Sequence, residues 1–196
     1  TQTSQSTQSV QPMPCVIYIG NNSASFKTTL RCMVPSVPVD LEIVPQSEMN
    51  HDTDWVHQVH GPGAALIYID ICADTPIISH QYTVFLMKVV CLILARQLRG
   101  GSVAIKVNTL YFKPILDMMY ILSGKYANMY IVHPFVADPP DNRVVVFSHM
   151  LSPSPHVESM ISAIPATFDV GSIYSVSDVE MSHYFANKVE ECNMLI

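Results

Sequence analysis

Two polar residues stand where aliphatic strands would not choose them. Val103-Ala-Ile-Lys-Val107 carries Lys106 inside an apolar run, and Leu66-Ile-Tyr-Ile69 ends on Asp70. Lysine is rarely fully buried without a partner. The two-residue period of a strand puts Ala104, Lys106 and Asn108 on one face. If the two runs are neighbouring strands, their ends bring a carboxylate and an ammonium within reach of each other. Such a pair is suited to holding a polar ligand, with the adjacent carboxylate favouring the charged lysine. Taken singly, each has a plainer role. Lys106 is then a strand-end lysine reaching for water, and Asp70 a cap or turn former in Asp70-Ile-Cys-Ala-Asp-Thr-Pro76.

A third candidate is the turn in Tyr18-Ile-Gly20-Asn-Asn-Ser-Ala-Ser25, where Asn21 and Asn22 tolerate left-handed geometry and the neighbours are small. Other chemistries find little support. His57 and His60 lack Cys, Asp or Glu at ligand spacing, and the five cysteines form no CxxC pair, so no metal site is expected. No Gly-x-Ser-x-Gly, GxGxxG or GxxxxGKS sequence occurs. Tyr111, Phe112 and Lys113 offer stacking plus charge to a single strand of nucleic acid, or else begin a packed helix. The eleven methionines read as core filler.

These residues need a scaffold, and the composition supplies one. Of 196 residues, 49% are hydrophobic and 13% charged, which suits one domain with a real core and excludes disorder for most of the chain. The net charge of −6 runs against a free-standing nucleic-acid binder, which needs a basic excess. Contact with RNA would therefore be local or assisted by a helper protein. Cysteines without a framework point to a reducing, intracellular compartment. No signal peptide is expected, and the longest apolar run, residues 84–95, contains Lys88 and is too short to span a bilayer.

Residues 1–13, mostly Thr, Gln and Ser, predict a disordered tail. The main domain is expected over 14–150, with a helical extension over 151–196 packed on it. Strands are predicted at 15–20, 41–44, 55–59, 64–70, 102–107, 129–132 and 143–147, the last two as a pair. Helices are predicted at 23–33 with Ser23 as cap, 80–98, 114–123, 157–163 and 177–192. Strands alternating with helices predict an α/β fold with a mostly parallel central sheet, an antiparallel last strand and helices on both faces. In such sheets ligands bind beyond the carboxyl ends of the strands, where strand order reverses. That rule selects the ends at Gly20, Val44, Asp70 and Lys106.

Gly100-Gly-Ser-Val-Ala-Ile-Lys-Val107, preceded by a long helix and by Leu66-Ile-Tyr-Ile-Asp70, resembles the Rossmann-like RNA ribose 2′-O-methyltransferases, most closely the cap methyltransferases of nidoviruses. The likeness extends over residues 16–149. It implies S-adenosylmethionine as cofactor and a lysine–aspartate–lysine–glutamate tetrad acting on a ribose hydroxyl, a poor nucleophile at neutral pH that needs a base. Asp70 and Lys106 match the second and third members. The first lysine has no counterpart in residues 1–14; Lys27, in the helix after the first strand, is the nearest lysine upstream of Asp70, and Asp141, Asn142 and Arg143 stand where the glutamate belongs. For the cofactor, the resemblance assigns Gly20, Asn21 and Asn22 to the methionine part, Asp54 to the adenine amine, and Asp70 alongside. Gln46 or Glu48 replaces the usual acid of the second strand.

The implied function is an S-adenosylmethionine-dependent RNA cap 2′-O-methyltransferase of a viral replicase polyprotein. It would act on capped or single-stranded RNA in the host cytoplasm, with a helper protein and without a membrane. The alternative is a catalytically degenerate methyltransferase-like domain serving as a binding or assembly module in a replication complex.

Overall fold

A computed structural model describes residues 14–35, 38–45, 55–70, 80–107, 110–133, 143–152, 159, 161–162, 164 and 173–194. Six strands form one sheet: β1 (Cys15–Gly20), β2 (Asp40–Val44), β3 (Ala64–Asp70), β4 (Gln97–Val107), β5 (Tyr126–Val132) and β6 (Arg143–Met150). Among the described residues the helices with both ends given are α1 (Ser23–Met33), α2 (Trp55–Val59), α3 (His80–Arg96), α4 (Lys113–Ser123) and α5 (His183–Met194). The spatial order is β2-β1-β3-β4-β6-β5. β1 pairs in parallel with β2 and β3, and β3 with β4, while β6 runs antiparallel to both β4 and β5. The expected mixed sheet with a reversed last strand is the sheet observed.

Alternation along the strands separates two faces. Ile17, Ile19, Ile67, Ile69, Val103, Ile105, Val145 and Phe147 point to one side and are at most 1% exposed. They form one core with α3, whose seventeen residues include thirteen buried ones. A helix buried on almost every side explains the near-continuous apolar run in its sequence. Its buried Lys88 lies over the Trp55 ring, with Nζ 5.8 Å from the centroid. The other face is covered by α1, through Phe26. That ring stacks on Tyr18 and Tyr68 with centroids 4.7 and 5.1 Å away.

One predicted strand is a helix. Residues 55–59 form α2, with Trp55 and Val59 buried and His57 exposed. As a strand, Trp55, His57 and Val59 would share a face and carry the imidazole into the core. A helical turn brings Trp55 and Val59 together and turns His57 outward. β4 also starts earlier than the predicted 102. It follows α3 directly at Gln97 and bulges against β3, whose Ala64 pairs with Gln97 and Leu66 with Ser102. Gly100 takes the left-handed conformation there, φ 79°. The Gln97 amide spans the bulge, donating to the carbonyls of Ala64 (2.8 Å) and Ala65 (3.2 Å) and accepting from the Tyr126 hydroxyl (3.3 Å).

The predicted cap Ser23 is the first helical residue of α1. Asn22 is the N-cap, without a side-chain capping bond. The last helix begins at His183 rather than 177. Most of the predicted helix at 157–163, the terminal tail at 1–13 and the loop at 134–142 lie outside the described residues.

Candidate active site

The sheet reverses direction of growth beside β1: β2 lies on one side of it and β3 on the other. A crevice at the carboxyl ends of β1 and β3 follows from that arrangement. Register fixes what lies there. Gly20 of β1 is paired with Asp70 of β3, and Asp70 with Lys106 of β4. Three of the residues singled out from sequence therefore stand in one row.

Within that row Lys106 Nζ is 3.1 Å from Asp70 Oδ1, with 29% and 24% of the two side chains exposed. The pair is accessible to a ligand yet held by two buried strands. The other carboxylate oxygen, Oδ2, accepts a long hydrogen bond of 3.3 Å from the hydroxyl of Tyr18. That hydroxyl also accepts the backbone N–H of Asn22 at 3.0 Å. Tyr18 is fully buried, and burial pushes its phenol up to about 12, with the Asp70 charge adding to the effect and the Asn22 N–H opposing it. Burial and then the same carboxylate raise Tyr68. Tyr18 is thus a neutral donor to Asp70 across the physiological range.

Gly20 is needed for close approach. A Cβ at this position would lie 2.7 Å from the Tyr18 hydroxyl and 2.8 Å from the Asp70 carbonyl oxygen. The turn that follows, Asn21 and Asn22, is exposed. An exposed amide-rich turn beside an accessible carboxylate fits the amino-acid end of S-adenosylmethionine, which carries both an ammonium and a carboxylate. Asp54, Gln46 and Glu48, expected at the adenosine end, lie outside the described residues.

Of the substitutes for the other tetrad members, the two described ones, Lys27 and Arg143, do not join the pair. Lys27 is exposed on α1 and lines a groove against β2 with Leu30, Val34 and Leu41. Arg143 pairs with Val107, which puts it on the opposite face of the sheet from Lys106, and Val144 stands across from Lys106 instead. Asp141 and Asn142 lie outside the described residues. The aromatic stretch after β4 begins a packed helix: Phe112 packs against the core and is the N-cap of α4, and Lys113 is tied to Asp117 at 2.7 Å. Tyr111 is exposed but its hydroxyl reaches the Asn193 carbonyl of α5 at 3.5 Å. Among the described residues no group of three His, Cys, Asp or Glu could hold a metal, and no helix is long and apolar enough to cross a membrane.

Sequence reasoning missed Tyr18. Its signal was available: it lies two residues before Gly20, hence on the same face, and is the polar side chain of an otherwise aliphatic run.

No family model matches the sequence, and no curated protein matches it. Solved structures do match in shape. A ribosomal RNA methyltransferase from Plasmodium falciparum superposes with a TM-score of 0.52 at 11% identity, over 71% of this chain and 87% of that one. Human methyltransferase-like protein 13 in complex with SAH gives 0.48 at 10% identity, over 86% and 87%. The Methanococcus jannaschii fibrillarin pre-rRNA processing protein gives 0.43 at 11%, over 71% and 68%. The chain has the Rossmann-like methyltransferase fold.

Proposed function

We propose that the chain is an S-adenosylmethionine-dependent RNA ribose 2′-O-methyltransferase acting on the cap of a viral transcript in the host cytoplasm. The observation that carries this reading is the Asp70–Lys106 contact of 3.1 Å at the ends of adjacent parallel strands, level with Gly20. S-adenosylmethionine, when bound, supplies an electrophilic methyl group on its sulfonium. Gly20, Asn21 and Asn22 would hold its methionine part, with Asp70 alongside and Asp54 at the adenine. Asp70 holds the Lys106 side chain at the ribose oxygen, and Lys106, as its neutral amine, would take the hydroxyl proton as that oxygen attacks. The acidic balance of the chain favours a helper protein that supplies affinity for capped or single-stranded RNA.

A second reading has its own support. Neither Lys27 nor Arg143 contacts the pair, so the domain would be a catalytically degenerate binding or assembly module. Calorimetry with S-adenosylmethionine and a methyl-transfer assay on short capped RNA, with the helper present, separate the two. The enzyme binds the cofactor and loses transfer of at least about a hundredfold in Lys106→Ala. Equal transfer in wild type and Lys106→Ala would end the role given to that lysine, and no binding heat in folded protein would favour the module.

A further inference from the structure

We infer that Tyr18 is a positioning residue: its hydroxyl ties the turn after β1 to the Asp70 carboxylate, so that turn and ion pair are set together. Three contacts run in series. The Asn22 N–H donates to the Tyr18 oxygen (3.0 Å), the Tyr18 O–H donates to Asp70 Oδ2 (3.3 Å), and Asp70 Oδ1 receives Lys106 Nζ (3.1 Å). Each link has one acceptor and one donor, so the direction is fixed: the phenol oxygen takes the backbone N–H and gives its own proton to the carboxylate.

The surroundings hold the phenol in that role. Its ring is stacked on Phe26 of α1 and lies 6.0 Å from Tyr68, so it has little freedom to swing. Glycine at position 20 leaves the hydroxyl the space it occupies, since a Cβ there would come within 2.7 Å of it. A carboxylate free to rotate about χ2 would offer Lys106 either oxygen. With Oδ2 engaged by Tyr18, Oδ1 is the one presented. Two strand ends that sequence places far apart thus report to each other through one oxygen.

Tyr18→Phe removes that oxygen and keeps the ring stack. The first measurement needs no turnover: acetylation of Lys106 by an amine-reactive reagent at fixed pH, followed by mass spectrometry. Tyr18→Phe is expected to speed labelling by about threefold, because a carboxylate free to turn no longer holds Nζ in one place. In an Asp70→Asn background the same substitution is expected to change nothing. A purely structural role would instead give equal effects in both backgrounds, and that result, or equal labelling in all four proteins, overturns the inference. Amide exchange at Asn22 is expected to quicken in Tyr18→Phe whether or not Asp70 is present.

The kinetic arm rests on the methyltransferase reading: kcat falls by about tenfold and the KM for the donor rises by about threefold as its turn is released, while the KM for RNA changes less than about twofold. Wild type without methyl transfer but with Asp70-dependent labelling would sink the enzymatic reading and uphold the link. Active wild type matched by Tyr18→Phe in kcat and in labelling would do the reverse.

Discussion

Arg96 offers a sharp test of what holds the scaffold together. Its guanidinium is 1% exposed and grips the Glu42 carboxylate with both terminal nitrogens, at 2.7 and 2.6 Å. Nε donates to the Pro62 carbonyl (2.8 Å) and Nη1 also to that of Gln58 (3.1 Å). One side chain at the end of α3 thereby binds β2 and the connection from α2 to β3. Glu42→Leu leaves a buried cation without its counter-charge, a loss of about 3–5 kcal/mol when a pair is fully enclosed. Because 29% of the Glu42 side chain is exposed, water takes up part of that charge, and the lower half of the range applies. For a chain of this size each kcal/mol moves Tm by about 2–4 °C, so a fall of about 6–16 °C is expected. Adding Arg96→Met removes the stranded charge and is expected to restore part of the loss. Thermal and urea unfolding followed by circular dichroism measure both. If Glu42→Leu costs less than about 1 kcal/mol, as an ordinary surface pair would, the clamp is not what joins these segments.

Two further outcomes follow from buried groups. Burial alone would raise the Asp117 carboxyl, but hydrogen bonds from Lys113 (2.7 Å), Ser175 (2.6 Å) and the Val176 N–H (2.9 Å) outweigh it and hold the group below its ordinary 3.8. Stability from this carboxylate is complete above that ordinary value and is lost as pH falls through it toward the lower folded one. Tm measured from about pH 7 down to about pH 3 should therefore converge between wild type and Asp117→Asn, and a constant gap would refute the assignment. Cys91 is buried and its thiol is pushed up to about 12 by that burial, whereas Cys32 is exposed. Iodoacetamide at about pH 8 is expected to modify Cys32 and spare Cys91 until the protein unfolds. Comparable rates in folded protein would contradict the burial of α3.

The parts of this molecule legible in sequence are those governed by short-range pattern. Aliphatic runs marked β1, β3 and β4, and the breaks in those runs marked Asp70 and Lys106. Their meeting required one further assumption, that the strands are neighbours, which the sheet order bears out. Residues 55–59 misled because five residues carry too little periodicity to separate an alternating strand from one helical turn. Arg96 carries no such mark, since its partner Glu42 is 54 positions away and nothing local announces it. Tyr18 showed its face, shared with Gly20, but not its role, because its hydroxyl's partners come from another strand and from the following turn.

The place of β6 has a consequence for how the chain is made. The last strand in order of synthesis is inserted between β4 and β5. Until residues 143–150 emerge, β4 keeps a bare edge and β5 has nothing among the described strands to join. A nascent chain halted before that segment would display hydrogen-bonding borders that invite self-association. Closure of the sheet thus waits on residues 143–150, and the same stretch that completes the architecture also covers the borders it would otherwise leave open.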